Sequence, residues 1–413
     1  MSGLQLQSGL GLLALTALCW AFGGFARPSW RLILAGLGGQ IVLGAALLHL
    51  PFVRAGFSAI GRGVDALAGA TRAGTTLVFG YLGGGPLPFA LTQPGADFVL
   101  FFQALPLILV MGALSAVLYH WRVLPLVVGG LSRVLWAGFG LSGAAGLSVA
   151  ANVFLGMVEA PLLIRPWLAG LSRSELFVVM VAGLATISGN MLVVYASMIA
   201  AVVPDAAGQL LAASLVSAPA AVLVAGLMVP GMAAARDSAE PMPPRLYDGT
   251  LDAVLKGIGD GLSLMLGIMA ALIVFVALVA LGNMVLEPLT GLSLQGIAAW
   301  MFRPLALAMG VPWGESGVVA ASLGTKIVVN EFVAYLELAT SGGLGLSERS
   351  RLILTYALCG FTNFASLGIM LAGMGGMCPE RRADIVALGP RALLGATIAC
   401  CMTGAVVGVL TPA

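Results

Sequence analysis

Charge is scarce in this chain. Only 9% of its 413 residues are Asp, Glu, Lys or Arg, against about a quarter in a soluble domain. With 60% hydrophobic residues, a water-facing surface cannot be assembled, so the chain is an integral membrane protein. Lys and Arg form no runs and the net charge is +2, which leaves no patch for nucleic acid or anionic headgroups. The two histidines, His49 and His120, stand at the ends of apolar segments. Five cysteines (Cys19, Cys359, Cys378, Cys400, Cys401) lack metal-ligand spacing and read as small buried apolar side chains. No HExxH, nucleophile elbow or paired intramembrane aspartate stands out, and no cofactor motif is present. An enzyme is therefore disfavoured, with an intramembrane hydrolase using Glu159 and Glu331 as the residual alternative. The start, "MSGLQLQSGLGLLALTALCW", has no basic region of the signal-peptide kind and reads as a mature first span.

Glycine and long apolar runs are abundant. The 57 glycines suit closely packed membrane helices. Runs long enough to span, about 20 residues, cover roughly 8–24, 30–50, 98–119, 175–203, 206–230, 261–286, 352–374 and 386–410, which predicts eight transmembrane helices. The stretch 52–79, with Arg54, Arg62, Asp65 and Arg72 widely spaced, reads as a helix along the interface. The stretch 233–249 is a polar linker. Arg27, Arg31, Arg122, Arg133, Arg381 and Arg382 favour both termini outside the cytoplasm; Arg54, Arg62 and Arg72 run against that orientation.

Two further apolar segments, 142–172 and 311–339, carry polar or glycine breaks near their middles. Halves of about a dozen residues rise about 18 Å, too little for a core of about 30 Å. Both segments therefore read as re-entrant helical hairpins, permitted where broken backbone lines a cavity. Each contains an acid, Glu159 or Glu331, and each is followed by a helix with polar residues mid-span: Thr186, Ser188, Gly189 and Asn190 in one, Thr362, Asn363 and Ser366 in the other. Paired interrupted segments in two halves point to a transporter's binding site. The expected fold is all-α, an inverted-repeat transport domain with a scaffold. The divisions are 1–95 (N-terminal spans, scaffold), 96–230 (first repeat), 231–310 (linker and scaffold helix) and 311–413 (second repeat and last span).

An ionised carboxylate inside a bilayer is costly and faces a cavity or a partner. Glu159 precedes Ala160-Pro161, which suits the mouth of a new half-helix. There a carboxylate can accept from hydroxyl-bearing ligands; the bland alternative is an ion pair with Arg165. Glu331 repeats the pattern, with a Lys326–Glu331 pair as its alternative. Two acids with Asn363 and Ser366 suit a polyhydroxylated solute, gripped where the two loops meet at a shared chamber. Asn152 and Thr186 offer oxygens to a hard monovalent cation such as sodium, though helix-to-helix hydrogen bonding is the commoner use of such residues. "LSRSE" (171–175) reads as a capping box opening the fourth span.

The blocks "ANVFLGMVEAPLLIRPWLAGLSRSELFVVMVAGLATISGN", "GTKIVVNEFVAYLEL" and "SERSRLILTYALCGFTNFASLGIMLAGMGGMCPERRADIVALGPRALLGATIA" strongly resemble the concentrative nucleoside transporter family, from about residue 95 to the C-terminus. The resemblance implies a homotrimer in a bacterial inner membrane that imports nucleosides by an elevator-like movement, coupled to sodium or, in some members, protons. It also implies that Glu159, Glu331, Asn363 and Ser366 hold the ribose, that Phe361 lies beside the nucleoside, and that Asn152, Leu155, Thr186 and Ile187 ligate sodium. One departure stands out. Where the family usually reads Gly-Gln-Thr/Ser-Glu, this chain has Gly156-Met157-Val158-Glu159, so two polar side chains facing the base are replaced by apolar ones and base selectivity is expected to loosen or shift. The alternatives are a symporter for another ribosylated or polyhydroxylated solute and a non-transporting membrane receptor.

Overall fold

A computed structural model describes residues 2–90, 97–231 and 246–412. The polar linker up to residue 245 and the side chain of Arg54 lie outside the described residues. Among the described residues every regular element is helical. Seven helices among these residues are long and apolar enough to cross a membrane: Gly3–Phe22, Trp30–His49, Leu100–His120, Arg173–Ile199, Ala206–Met228, Thr250–Thr290 and Pro379–Leu410. They are not equally buried. Ala206–Met228 and Arg173–Ile199 are 89% buried over their most apolar windows, whereas Thr250–Thr290 is 6% buried and turns its side chains outward. An inner bundle is thus wrapped by outer helices. All five cysteines are buried and free.

Local chemistry sets the helix starts. Ser2 with Gln5, and Ser172 with Glu175, form capping boxes, satisfying backbone donors that the first turn leaves unpaired. Ser142, Ser188, Asn330 and Asn363 accept from backbone N–H groups at four further starts. These last four lie in the two interrupted regions.

Both regions have one order of parts. In the first, Gly143–Asn152 and Glu159–Leu163 flank a break, and Arg173–Ala185 and Gly189–Ile199 follow, broken at Thr186–Ser188. In the second, Trp313–Val328 and Glu331–Thr340 are followed by Glu348–Leu358 and Phe364–Met377, broken at Cys359–Asn363. The expected span 352–374 is therefore two short helices. Gly360 adopts φ +159°, and a Cβ there would lie 2.7 Å from Cys400 Sγ and 2.9 Å from the Ala185 carbonyl, so only glycine passes at this point.

Three elements differ from expectation. The helix expected over 261–286 begins eleven residues earlier, at Thr250. Val123–Phe139 and Leu294–Ala308 are helices that hydropathy did not bring out. Leu294–Ala308 meets Trp313–Val328 at 118°. The stretch after the second span is one 29-residue helix, Pro51–Phe79.

Leu107–His120 and Thr250–Thr290 cross almost backbone to backbone. A Cβ at Gly257 would lie 2.5 Å from the Gly112 carbonyl oxygen, and one at Gly261 would lie 3.0 Å from that of Ile108. Small residues four apart allow this approach in membranes, where dispersion rather than hydrophobic burial drives association.

Candidate functional site

The first break follows Asn152. The N–H groups of Phe154 and Leu155 both turn back to the Ala151 carbonyl, at 3.0 and 2.7 Å, and the Phe154 carbonyl accepts from Gly189 N–H at 2.8 Å. Thr186 adds a second link, its hydroxyl lying 3.0 Å from the Asn152 carbonyl and 2.9 Å from that of Ala182. The two breaks of this half are thus hydrogen-bonded to each other. At the junction Asn152 is 1% exposed, and neither polar atom of its side chain has a hydrogen-bond partner among the described residues. A buried polar group left unpaired costs about 1–3 kcal/mol, and such groups are few in native proteins. Its neighbours supply neutral oxygens, the donor set a hard cation prefers. Ile187 is buried in the same break and Leu155 is half-buried.

In the second half Asn330 caps Glu331–Thr340, accepting from Val333 N–H at 3.0 Å. Glu331 follows it and is buried. Its two oxygens accept from Tyr195 Oη at 2.8 Å and Asn363 Nδ2 at 2.7 Å. Asn363 works at both ends, since its Oδ1 accepts from Ser366 N–H at 2.7 Å and starts Phe364–Met377. The neighbouring cation is engaged elsewhere: Lys326 Nζ donates to the Ala357 carbonyl at 2.8 Å. Tyr195 is itself stacked on Tyr335, with ring centroids 4.7 Å apart. Phe361 lies half-buried in the break, beside the buried, unpartnered hydroxyl of Thr362.

Glu159 opens onto a cavity of about 520 Å³. A Cβ on Gly156 would lie 2.1 Å from Glu159 Oε2, so the carboxylate folds back over a glycine that alone leaves it room. Among the described residues the ion pairs are Lys256–Asp252 and Arg381–Asp384, and none joins Glu159 to Arg165. Gly156 and Leu155 line the same cavity, whereas Glu331, Phe361, Asn363 and Ser366 do not. The helix Gly189–Ile199 connects the two clusters, presenting Asn190 to the cavity and Tyr195 to Glu331. Met157 and Val158 turn away from the cavity. Met157, 9% exposed, packs on Gly183, and Val158 packs on Gly373.

Comparison with known proteins assigns the class. Three family models match in succession: "Na+ dependent nucleoside transporter N-terminus" over residues 10–82, "Nucleoside recognition" over 101–202 and "Na+ dependent nucleoside transporter C-terminus" over 209–408. The chain belongs to the concentrative nucleoside transporter family. It is 32% identical to the nucleoside permease NupC of Helicobacter pylori, covering 98% of this chain and 97% of that one. It is 35% identical to sodium/nucleoside cotransporter 1 of Rattus norvegicus over 98% of this chain and 64% of the longer rat protein. A solved structure of CNTnw in an inward-facing substrate-bound state superposes with a TM-score of 0.89 at 32% identity, over 98% of this chain and 99% of that one. Membership in this family makes the chain a multi-pass membrane transporter, not an enzyme.

For this family member the cavity has a second wall that sequence reasoning missed. Ser115 and Tyr119 come from Leu107–His120, and Lys256 and Asp260 from Thr250–Thr290. Ser115 Oγ donates to Asn190 Oδ1 at 2.8 Å, joining the two walls. A signal for this wall existed: Asp252, Lys256 and Asp260 are spaced four apart, which puts them on one helical face.

Proposed function

We propose that this chain is a sodium-coupled nucleoside symporter that imports its substrate by elevator-type alternating access. The observation that carries this is the unpartnered, buried Asn152 amide where the two breaks of the first half are hydrogen-bonded together. Sodium held by Asn152 Oδ1, Thr186 and the backbone at Leu155 and Ile187 satisfies the amide oxygen. It also fixes the loop from which Glu159 reaches the cavity. Ion and solute then stabilise each other's site, and the coupling is reciprocal.

In this proposal Glu159 meets the ribose from the cavity, while Glu331, Asn363 and Ser366, which lie outside that cavity in this structure, join it with Phe361 beside the base as the two clusters come together during transport, and Gly156 gives the Glu159 carboxylate its room. Met157 and Val158 lack the polar groups that would read a base edge, so selectivity differs from relatives that carry Gln and Thr or Ser there. The two interrupted regions act as opposed re-entrant hairpins within a transport domain formed by 96–230 and 311–413. Residues 1–95 and 231–310 serve as the scaffold of a homotrimer in a bacterial inner membrane, surrounded by lipid.

Purified protein in sealed liposomes tests this. An inward sodium gradient is expected to drive accumulation of radiolabelled nucleoside, chemically unchanged, above its outside concentration. Equal uptake under a proton gradient without sodium overturns the cation assignment. Binding without accumulation points instead to a receptor.

A further inference from the structure

The tip of the first hairpin offers no polar side chain to a base, since Met157 and Val158 are apolar and packed against Gly183 and Gly373. The opposite wall of the Glu159 cavity does. Its polar side chains differ in availability. Asn190 Oδ1 is taken by Ser115, and Lys256 is paired with Asp252 at 2.9 Å. Asp260 is exposed on the cavity wall and makes no hydrogen bond or ion pair with a described residue. It lines the same cavity as Glu159. Its helix is also fixed in place, because Gly257 and Gly261, on either side of Asp260, are the residues in backbone contact with Leu107–His120.

An ionised carboxylate only accepts hydrogen bonds. One left unpaired in a cavity open to solute is matched by a ligand that presents N–H donors. Carboxylates accept from the exocyclic amino group of cytosine, and the guanine edge offers an amino group beside a ring N–H. We propose that Asp260 is a specificity-determining residue that reads the amino group of the base, selecting amino-bearing nucleosides over their oxo or unsubstituted counterparts. The inference rests on the nucleoside-symport proposal above and moves base recognition from the hairpin to the opposing helix.

The test is sodium-driven uptake in liposomes of two matched pairs: guanosine against inosine, which differ by one amino group, and cytidine against uridine. A hydrogen bond to a charged group corresponds to about a tenfold or greater change in affinity. Wild-type protein is expected to show KM values about tenfold lower for the amino-bearing member of each pair. In Asp260→Asn, whose amide oxygen still accepts a neutral hydrogen bond, the ratios are expected to fall part-way, and in Asp260→Ala to near one. Because Asp260 bonds to no described group, both variants are expected to unfold at the wild-type temperature. Unchanged ratios in the variants overturn the inference, as does an equal rise in KM for all four substrates. Absence of sodium-driven uptake of any nucleoside by the wild type strikes the symport proposal itself, and this inference with it.

Discussion

Replacing Glu331 separates its part in the fold from its proposed part in transport. Its carboxylate takes Tyr195 Oη and Asn363 Nδ2, both at under 3 Å and both buried. Glu331→Ala removes two acceptors at once. Each stranded donor costs about 1–3 kcal/mol, so the variant is expected to lose about 2–6 kcal/mol. Glu331→Gln is different. Asn363 is fixed, because its Oδ1 is held by Ser366 N–H and its amino group must find an oxygen. A tyrosine hydroxyl can reverse and accept. A Gln with its oxygen toward Asn363 and its amide nitrogen toward Tyr195 keeps both contacts but strands the buried Tyr195 hydroxyl proton, so this variant is expected to lose about 1–3 kcal/mol, less than Glu331→Ala. It also loses the charge. A hydrogen bond to a charged group contributes about 1 kcal/mol more than a neutral one, so a substrate hydroxyl that meets Glu331 is expected to bind about five- to tenfold more weakly. Thermal unfolding of detergent-solubilised protein can be followed with a thiol-reactive fluorophore, since all five cysteines are buried and become reactive as the chain opens. Uptake in liposomes gives KM. An Ala variant as stable as wild type refutes the hydrogen-bond accounting. A Gln variant with unchanged KM for every nucleoside removes Glu331 from the substrate site.

Thr186→Val keeps the shape of the side chain but removes the hydroxyl shared by the carbonyls of Asn152 and Ala182. The sodium concentration for half-maximal uptake is expected to rise about tenfold, as for loss of one hydrogen bond or ligand of about 1.4 kcal/mol, with nucleoside KM at saturating sodium changed less. Gly257→Val drives a Cβ to 2.5 Å from the Gly112 carbonyl oxygen, an atom that can move only with its helix. Overpacking of this kind costs about 1–3 kcal/mol, to be read as a lower unfolding temperature. Gly267→Ala on the same helix meets nothing within 4 Å and is expected to raise the unfolding temperature slightly, in line with the helix preference of alanine, about 1 kcal/mol over glycine.

Much of the candidate site was legible because the membrane makes polar residues expensive. Glu159, Glu331, Asn152, Thr186 and Asn363 all stand out against apolar surroundings, and every one of them lies at a helix break or a helix start. The capping box at Ser172 was legible for the same local reason. Hydropathy was a poorer guide where charge and helix coincide. The window over 261–286 opened just past Asp260, because Asp252, Lys256 and Asp260 depress the average, yet the helix runs through all three. Val123–Phe139 contains Pro125 and a glycine pair, and Leu294–Ala308 contains Pro304. Propensity argues against both, and packing overrides it. Which groups share one cavity was not legible, since Asp260 and Glu159 are about a hundred residues apart in the chain and only the tertiary arrangement brings them to facing walls.

The glycine crossing of Leu107–His120 with Thr250–Thr290 has a mechanical consequence. Two helices that touch through backbone have no interposed rotamers to reshuffle, so the pair shifts as a single slab or not at all. In the proposed elevator-type cycle, sliding of one half of the cavity past the other is then confined to the polar seam, where the Ser115–Asn190 hydrogen bond is the one to be broken and remade.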